Sequence, residues 1–411
     1  MRTRQPLIPV LAAGCLISLA LAGCGGSDTP APGTGDGPGG NANAISILIG
    51  SSGQAETAAV EAAVAAWSAQ SGVATKVIAA SDLNQEAAQG FASGQPADLL
   101  YLSTENLAAW AANGSLEAYG DQLANKDDFY PSLREAFTVD GVFYAAPKDF
   151  STLALVVNTD MWAAAGLTEA DYPTTWDELE TVAKALTTDG HIGLTFGAEL
   201  QRIGVFLAQA GGGIVTDDQA TANSQANIDA LAYVQKLLNE GCADFASDLG
   251  AGWGGEALGK ELAAMVIEGN WITGAMAGDY GNINYTVIEL PAGVQQGTIQ
   301  YTNAWGLAAD GSNKANAIKL VEYLTSTEQQ VEFAKTFGVM PSVESARNQF
   351  TELFPEMTAF MAGADYAQNL PAQTGVAAVI SDFNSTLGTL KTADPKSLLD
   401  NLQTNLEAVI G

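Results

Sequence analysis

An α/β fold built on a parallel sheet is the first expectation for this chain, and three observations carry it. Short β-rich runs at 45–49 (ISILI), 75–79 (TKVIA) and 98–102 (DLLYL) alternate with segments of helical spacing. The runs are almost continuously apolar, as strands covered on both faces are, rather than alternating with polar residues. Residues 45–411 leave room for two domains with cores of their own.

The elements follow in order. After 45–49 come Gly50, Ser51, Ser52 and Gly53, then a helix with Val60, Val64 and Trp67 on one face and Gly72 as its stop. A second helix is expected at 84–93. In parallel sheets ligands gather at the carboxyl ends of strands. The loops 50–54 and 101–105, with Ser51, Gln54, Tyr101 and Ser103, are therefore candidate contacts. Residues 144–158 (YAAPKDFSTLALVVN) end in a strand. Thr175 and Glu178 form a capping box that opens a helix whose apolar face is Leu179, Val182, Ala183 and Leu186. Ala317, Ile318, Val321 and Leu324 mark another helix, and 327–330 (TEQQ) restart it with a second capping box before Phe333, Phe337 and Gly338. The last 65 or so residues read as helical throughout. No internal repeat and no further membrane-length apolar stretch is present.

The N-terminus reads as an export signal. Arg2 and Arg4 precede an apolar run at 7–22, too short for a span of about 20 apolar residues. Leu21, Ala22, Gly23 and Cys24 resemble the lipobox of bacterial lipoproteins, in which the cysteine is acylated and becomes the new N-terminus. Residues 1–23 would be the signal peptide, and Cys24 the lipid-bearing residue. Residues 24–43, rich in Gly, Pro and small polar residues, would be a flexible tether. The expected location is outside the cytoplasm, anchored to the cell membrane by lipid.

Composition excludes several classes. With 16 basic and 46 acidic residues, the chain carries a formal charge of −30, and losing Arg2 and Arg4 makes it more acidic still. Nucleic acid and anionic lipid surfaces should repel such a body. One histidine, His191, rules out a histidine cluster for zinc. It sits in TTDGHIGLTFG, a turn before a strand, where a plain polar loop residue is expected. Cys242 is the only cysteine of the expected folded body, so no internal disulfide forms there; it reads as a small buried hydrophobe. The sequence has no nucleophile elbow, P-loop or dinucleotide fingerprint. The pairs Asp127, Asp128 and Asp217, Asp218 read as solvated turns. No enzyme, cofactor or metal is expected, although a glycoside hydrolase needs only two carboxylates.

Several segments, in order, resemble the extracellular solute-binding proteins of ABC transporters, in the sugar-binding family that includes maltose-binding protein. They are 97–100 (ADLL) with 107–117 (LAAWAANGSLE), and 140–147 (DGVFYAAP). The best match is 157–162 (VNTDMW), 165–167 (AGL) and 173–179 (PTTWDEL). Then come 263–265 (AAM) with 269–271 (GNW), and 313–326 with 339–341 (VMP). The resemblance spans roughly 45–345, and the order of its pieces makes it specific. Ala145 stands where the family usually has glycine, and Trp305 where it often has Gly-Gly.

The resemblance implies a two-lobed periplasmic-binding-protein-like fold, with hinged lobes and a ligand cleft between them. The first lobe would hold 44–152 and 302–338, and the second 153–301 and 339–411. It further implies a monomer that captures a sugar or oligosaccharide outside the cell and delivers it to a membrane permease. Sugars offer hydroxyls to carboxylates and amides, and C–H faces to aromatic rings. Trp253, Asn270 and Trp271 are candidates on that ground. So are Tyr301, Asn303 and Trp305 near the second hinge segment, Asp149 and Phe150 near the first, and Arg202. Trp67, Trp110, Trp162 and Trp176 fall on helical faces and read as core. A polyamine or other cationic cargo in the same fold is the alternative that the acidity keeps open.

Overall fold

The computed structural model describes residues 44–51 and 53–410. The signal segment, Cys24 and the 24–43 tether lie outside the described residues.

Strands β1 (Ile45–Ile49), β2 (Thr75–Ala79) and β3 (Leu99–Ser103) form where the apolar runs predicted them. β1 pairs in parallel with both others. Gly72 ends the first helix, Gln54–Ser71, at φ 72° and returns its N–H to the Ser68 carbonyl. Asp82 caps Leu83–Ser93 by accepting from the Gln85 N–H. Asp98 leads β3 because its carboxylate accepts from both the Ser46 N–H (2.9 Å) and the Ser46 hydroxyl (2.8 Å), which ties the entry of β3 to β1.

A short hairpin follows, β4 (Thr138–Val139) and β5 (Val142–Phe143), then the fully buried thirteen-residue β6 (Ala146–Asn158). β7 (Ile192–Phe196), the hairpin β8 (Val215–Thr216) and β9 (Gln219–Ala220), β10 (Ala243–Phe245) and β11 (Ala263–Gly269) come next. β12 (Tyr285–Ile288), β13 (Thr298–Leu307) and β14 (Ala367–Asn369) complete the set.

The large sheet runs β10-β7-β11-β6-β13-β3-β1-β2, with β12 beside β6 and β14 beside β13. β6 and β13 lie antiparallel at its middle. One end of β6 pairs with β13, and the other with β11 and β12. β13 joins β3 through its later residues and β14 through Thr298, Ile299 and Gln300. Where β6 meets β13, the register shifts between Asn303–Asp149 and Ala304–Pro147, leaving Lys148 as the extra residue of a bulge.

Hydrophobic cores form on either side of this pair. The first joins β1, β3 and the end of β13 to helices Gln54–Ser71, Lys314–Leu324 and Thr327–Phe337. The second joins the far end of β6, β7 and β11 to helices Trp176–Leu186, Leu200–Gln209, Gln225–Asn239, Val376–Leu387 and Pro395–Ile410. A third, holding Tyr130, Phe150, Met276, Met340, Met357, Phe360 and Met361, packs along β6.

The capping box of Thr175 and Glu178 is present. Cys242 is buried and free, as expected. His191 sits in the turn before β7, its Nδ1 3.1 Å from the Thr188 hydroxyl. Trp67 and Trp162 are core, while Trp110 and Trp176 are half-buried against it. Two expectations change. The helix at 327 is capped by Ser326, whose hydroxyl accepts from the Gln329 N–H. The C-terminal stretch is also not helical throughout: β14 and a loop at 370–375 interrupt it, because Pro371 and Gly375 cannot sustain a helix there.

Candidate functional site

Beside β13 lies a groove of about 310 Å³. One wall comes from Ser103, Thr104 and Glu105, where β3 turns into the helix Thr104–Ala112. The floor is Gln300, Tyr301, Thr302 and Asn303 of β13, and the opposite wall is Gln201, Asn369, Leu370, Pro371, Ala377 and Ile380. The sheet register explains why distant residues meet here. Asn303 pairs with Ser103 on one side and Asp149 on the other, so three neighbouring strands bring these residues into line.

Tyr301 links the groove to an aromatic and ionic cluster. Its ring meets Trp271 edge-on, 5.5 Å between centroids at 77°. Trp271 is 39% exposed, unusually open for so large a ring. Its position follows from the local sequence: β11 ends at Gly269, and a Cβ on Gly269 would lie 2.3 Å from the Trp271 indole. The ring thus lies directly on the glycine, which gives the Gly-x-Trp pattern a steric reason. The Trp271 Nε1–H donates to Glu268 Oε2 at 3.0 Å, and Arg202 donates to the same oxygen at 2.9 Å. The Arg202 guanidinium stands 5.2 Å from the Trp271 ring and 3.4 Å from the Tyr301 hydroxyl. Burial raises the Glu268 carboxyl above its ordinary value, against the opposing pull of Arg202. Burial likewise raises the Tyr301 hydroxyl.

Asn270 is buried; its N–H donates to the Ser151 hydroxyl and its side-chain amide to the Gly338 carbonyl. Trp253 is half-buried at the start of helix Gly254–Gly259, folded over Gly255 and packed on the third core.

The other expected residues are placed differently. Trp305 is 1% exposed in the first core, edge-on to Tyr101 at 5.0 Å and 74°. Tyr101 is buried too, and its hydroxyl donates to Glu56. Phe150 belongs to the third core. Asp149 is buried and paired with Lys148, which also bonds Glu56 at 3.2 Å. Burial raises the Asp149 carboxyl, and the Lys148 charge opposes that rise. Gln54 is exposed at the start of its helix, and the Ser51 hydroxyl donates to the Gly53 carbonyl.

The structure therefore gathers Ser103, Tyr301 and Asn303 in the groove, with Arg202 and Trp271 beside Tyr301. It sets Tyr101, Phe150 and Trp305 into packed interiors. Residues 369–371 enter the groove without having been singled out; their Asn-Leu-Pro sequence, with Gly375 close behind, was the available turn signal. Among the described residues no group of three or more His, Cys, Asp or Glu could hold a metal ion, and no helix is long and apolar enough to cross a membrane.

This architecture, two α/β cores joined by β6 and β13 with a cleft at the crossing, is that of two-lobed solute-binding proteins. Residues 62–362 match the bacterial extracellular solute-binding protein family, and the chain belongs to that family. A protein of Brucella abortus (strain 2308) that carries a binding-protein name is 22% identical over 346 residues, covering 80% of this chain and 83% of its own length. The cyclic alpha-maltosyl-1,6-maltose binding protein of Arthrobacter globiformis superposes with a TM-score of 0.78 at 20% identity, covering 89% of this chain and 98% of its own. The sugar-binding protein MalE of Xanthomonas citri gives 0.78 at 18% identity, over 89% and 97%.

Proposed function

We propose that this chain is the lipid-anchored substrate-binding component of an ABC importer, capturing a sugar or oligosaccharide and presenting it to a membrane permease. The observation that carries the reading is Trp271. It is an exposed indole held by Glu268 and Arg202 beside a groove whose polar groups include Gln201, Gln300, Asn303 and Asn369. A ring face for sugar C–H groups and amides for hydroxyls are the two features that neutral carbohydrate recognition needs. Sugar-binding proteins of the same fold support it, as does the ordered set of family segments.

The chain acts as a monomer. Its lobes, 44–152 with 302–338 and 153–301 with 339–411, close on the ligand by bending at β6 and β13. Cargo then favours the closed form by binding it more tightly than the open one. The role is binding without covalent chemistry. Cys24 carries the lipid, and Cys24→Ser releases the protein in soluble form; retention in the membrane fraction after that change contradicts the anchor.

One observation favours a second cargo. The groove contains Glu105 and, among the described residues, no lysine or arginine lines it. Glu105 would attract a polyamine there, and the nearby Arg202 charge is already paired with Glu268. Thermal unfolding against saccharides, polyamines and amino acids separates the readings. Cargo at 100 times its Kd adds about 2.7 kcal/mol of stability. A shift with a saccharide series supports the sugar reading, a shift with polyamines alone replaces the cargo, and no shift with either overturns both.

A further inference from the structure

The methionines of this chain are not spread evenly through its interior. Of seven, Met276, Met340, Met357 and Met361 are buried in the third core, and the larger first core has none. The second core holds Met265, with Met161 half-buried against it. The first core instead contains β-branched side chains such as Ile45, Ile47, Val60 and Val321, which are stiff at χ1.

The third core is also the one fed from both sides of the crossing. Along β6, Leu153, Leu155 and Val157 belong to the second core, whereas Ala154 and Val156 belong to the third. The helix Thr327–Phe337 gives Val331 and Phe333 to the first core and Ala334 to the third. The helix that opens with Trp271 seats on this core through Ile272 and Met276, one turn apart. The Phe150 N–H donates to the Met340 carbonyl at 3.2 Å, and the Tyr130 hydroxyl to Met361 Sδ at 3.4 Å. Methionine thus lies wherever the exposed tryptophan's helix, β6 and the segment after Gly338 meet.

Interiors are packed as densely as organic crystals, so elements that rotate past one another must repack or open voids. Methionine is unbranched with three rotatable bonds, and it fills an altered gap where a branched side chain would not.

We propose that the third core is a deformable bearing. Its methionines change rotamer as the lobes close, which keeps the hinge packed and passes movement of the Trp271 helix to β6 and Met340. This rests on the lobe closure proposed above.

The test needs no cargo. In unliganded protein with isotope-labelled methionine methyls, the order parameters of Met276, Met340, Met357 and Met361 should fall below that of Met265. Single-molecule energy transfer reads the spread of lobe positions. The dyes sit on azide-bearing residues at the exposed positions of Lys319 and Ser381, one in each proposed lobe. Met340→Ile combined with Met361→Ile should narrow that spread about twofold, because branching at Cβ stiffens χ1. Met340→Leu with Met361→Leu conserves volume and should narrow it less, and it serves if the isoleucine pair fails to fold, checked by melting. Met265→Leu should leave the spread unchanged. Four methyls as restricted as Met265, or a native spread retained in both paired variants, overturns the bearing and leaves lobe closure standing. A native spread no wider than the dye linkers alone removes the lobe motion, and the closing step falls with the bearing.

Discussion

The two sides of the crossing strands carry nearly the same ingredients and cover them to opposite degrees. On the first side, Trp305 and Tyr101 meet edge-on at 5.0 Å, with the Lys148 ammonium 4.5 Å from the Tyr101 ring and Glu56 and Asp149 as its partners. On the second, Trp271 and Tyr301 meet edge-on at 5.5 Å, with the Arg202 guanidinium 5.2 Å from the indole and Glu268 as its partner. The first cluster is sealed: Trp305 is 1% exposed and Lys148 is buried. The second is open at its tryptophan. A ring, a cation and a carboxylate thus make a structural joint when covered; with one face left to solvent, they form the surface proposed here for recognition.

The contrast is broken most severely from the sealed side. Trp305→Ala should lose about 3–5 kcal/mol of stability, as large aromatic truncations in cores do. Lys148→Met should lose a similar amount, about 3–5 kcal/mol, because Glu56 and Asp149 stay buried without their cation. Urea unfolding reads both. A loss below about 1 kcal/mol in either would mean that the sealed cluster is not a joint.

On the open side the effect should move from stability to binding. Trp271→Ala should weaken ligand binding about tenfold, equivalent to about 1.4 kcal/mol, with little change in unliganded melting. Unchanged affinity would show the exposed indole to be idle.

The smallest effect sharpens the electrostatics. The Glu268 carboxyl is raised above 4.5 by burial, so the folded chain holds that proton more tightly than the unfolded chain does. The contribution is fully present below the unfolded value and lost as pH rises through the folded one. Acidification should therefore favour the native protein over Glu268→Gln in unfolding free energy. The window opens just above 4.5. A gap that closes on acidification would mean that Arg202, not burial, dominates.

Much of this was legible in the sequence, and the limits are physical. The strands at 45–49 and 75–79 and the Thr175 cap could be read because apolar runs, glycine stops and capping pairs are local signals. Tyr301, Asn303 and Trp305 share a strand face by their period of two, and that much was readable. How far the helices cover that face was not. Tyr301 and Asn303 lie at the crossing and stay in the groove, whereas Trp305, two residues on, lies beneath the first core. The role of Lys148 was equally hidden, because it depends on a bulge defined by pairing with β13, some 150 residues away. Residues 369–371 were missed because the helical reading of the C-terminal stretch passed over Pro371 and Gly375.

Trp271 is the proposed platform for ligand, whereas the buried Trp305 is a strut. Calorimetric titration of the saccharide that gives the largest thermal shift, with native protein, Trp271→Ala and Trp305→Phe in parallel, tests this directly. The expected result is a Kd weakened about tenfold in Trp271→Ala and held within about twofold in Trp305→Phe. Equal weakening in both, or weakening only in Trp305→Phe, would contradict the assignment of the open cluster as the sugar-binding surface.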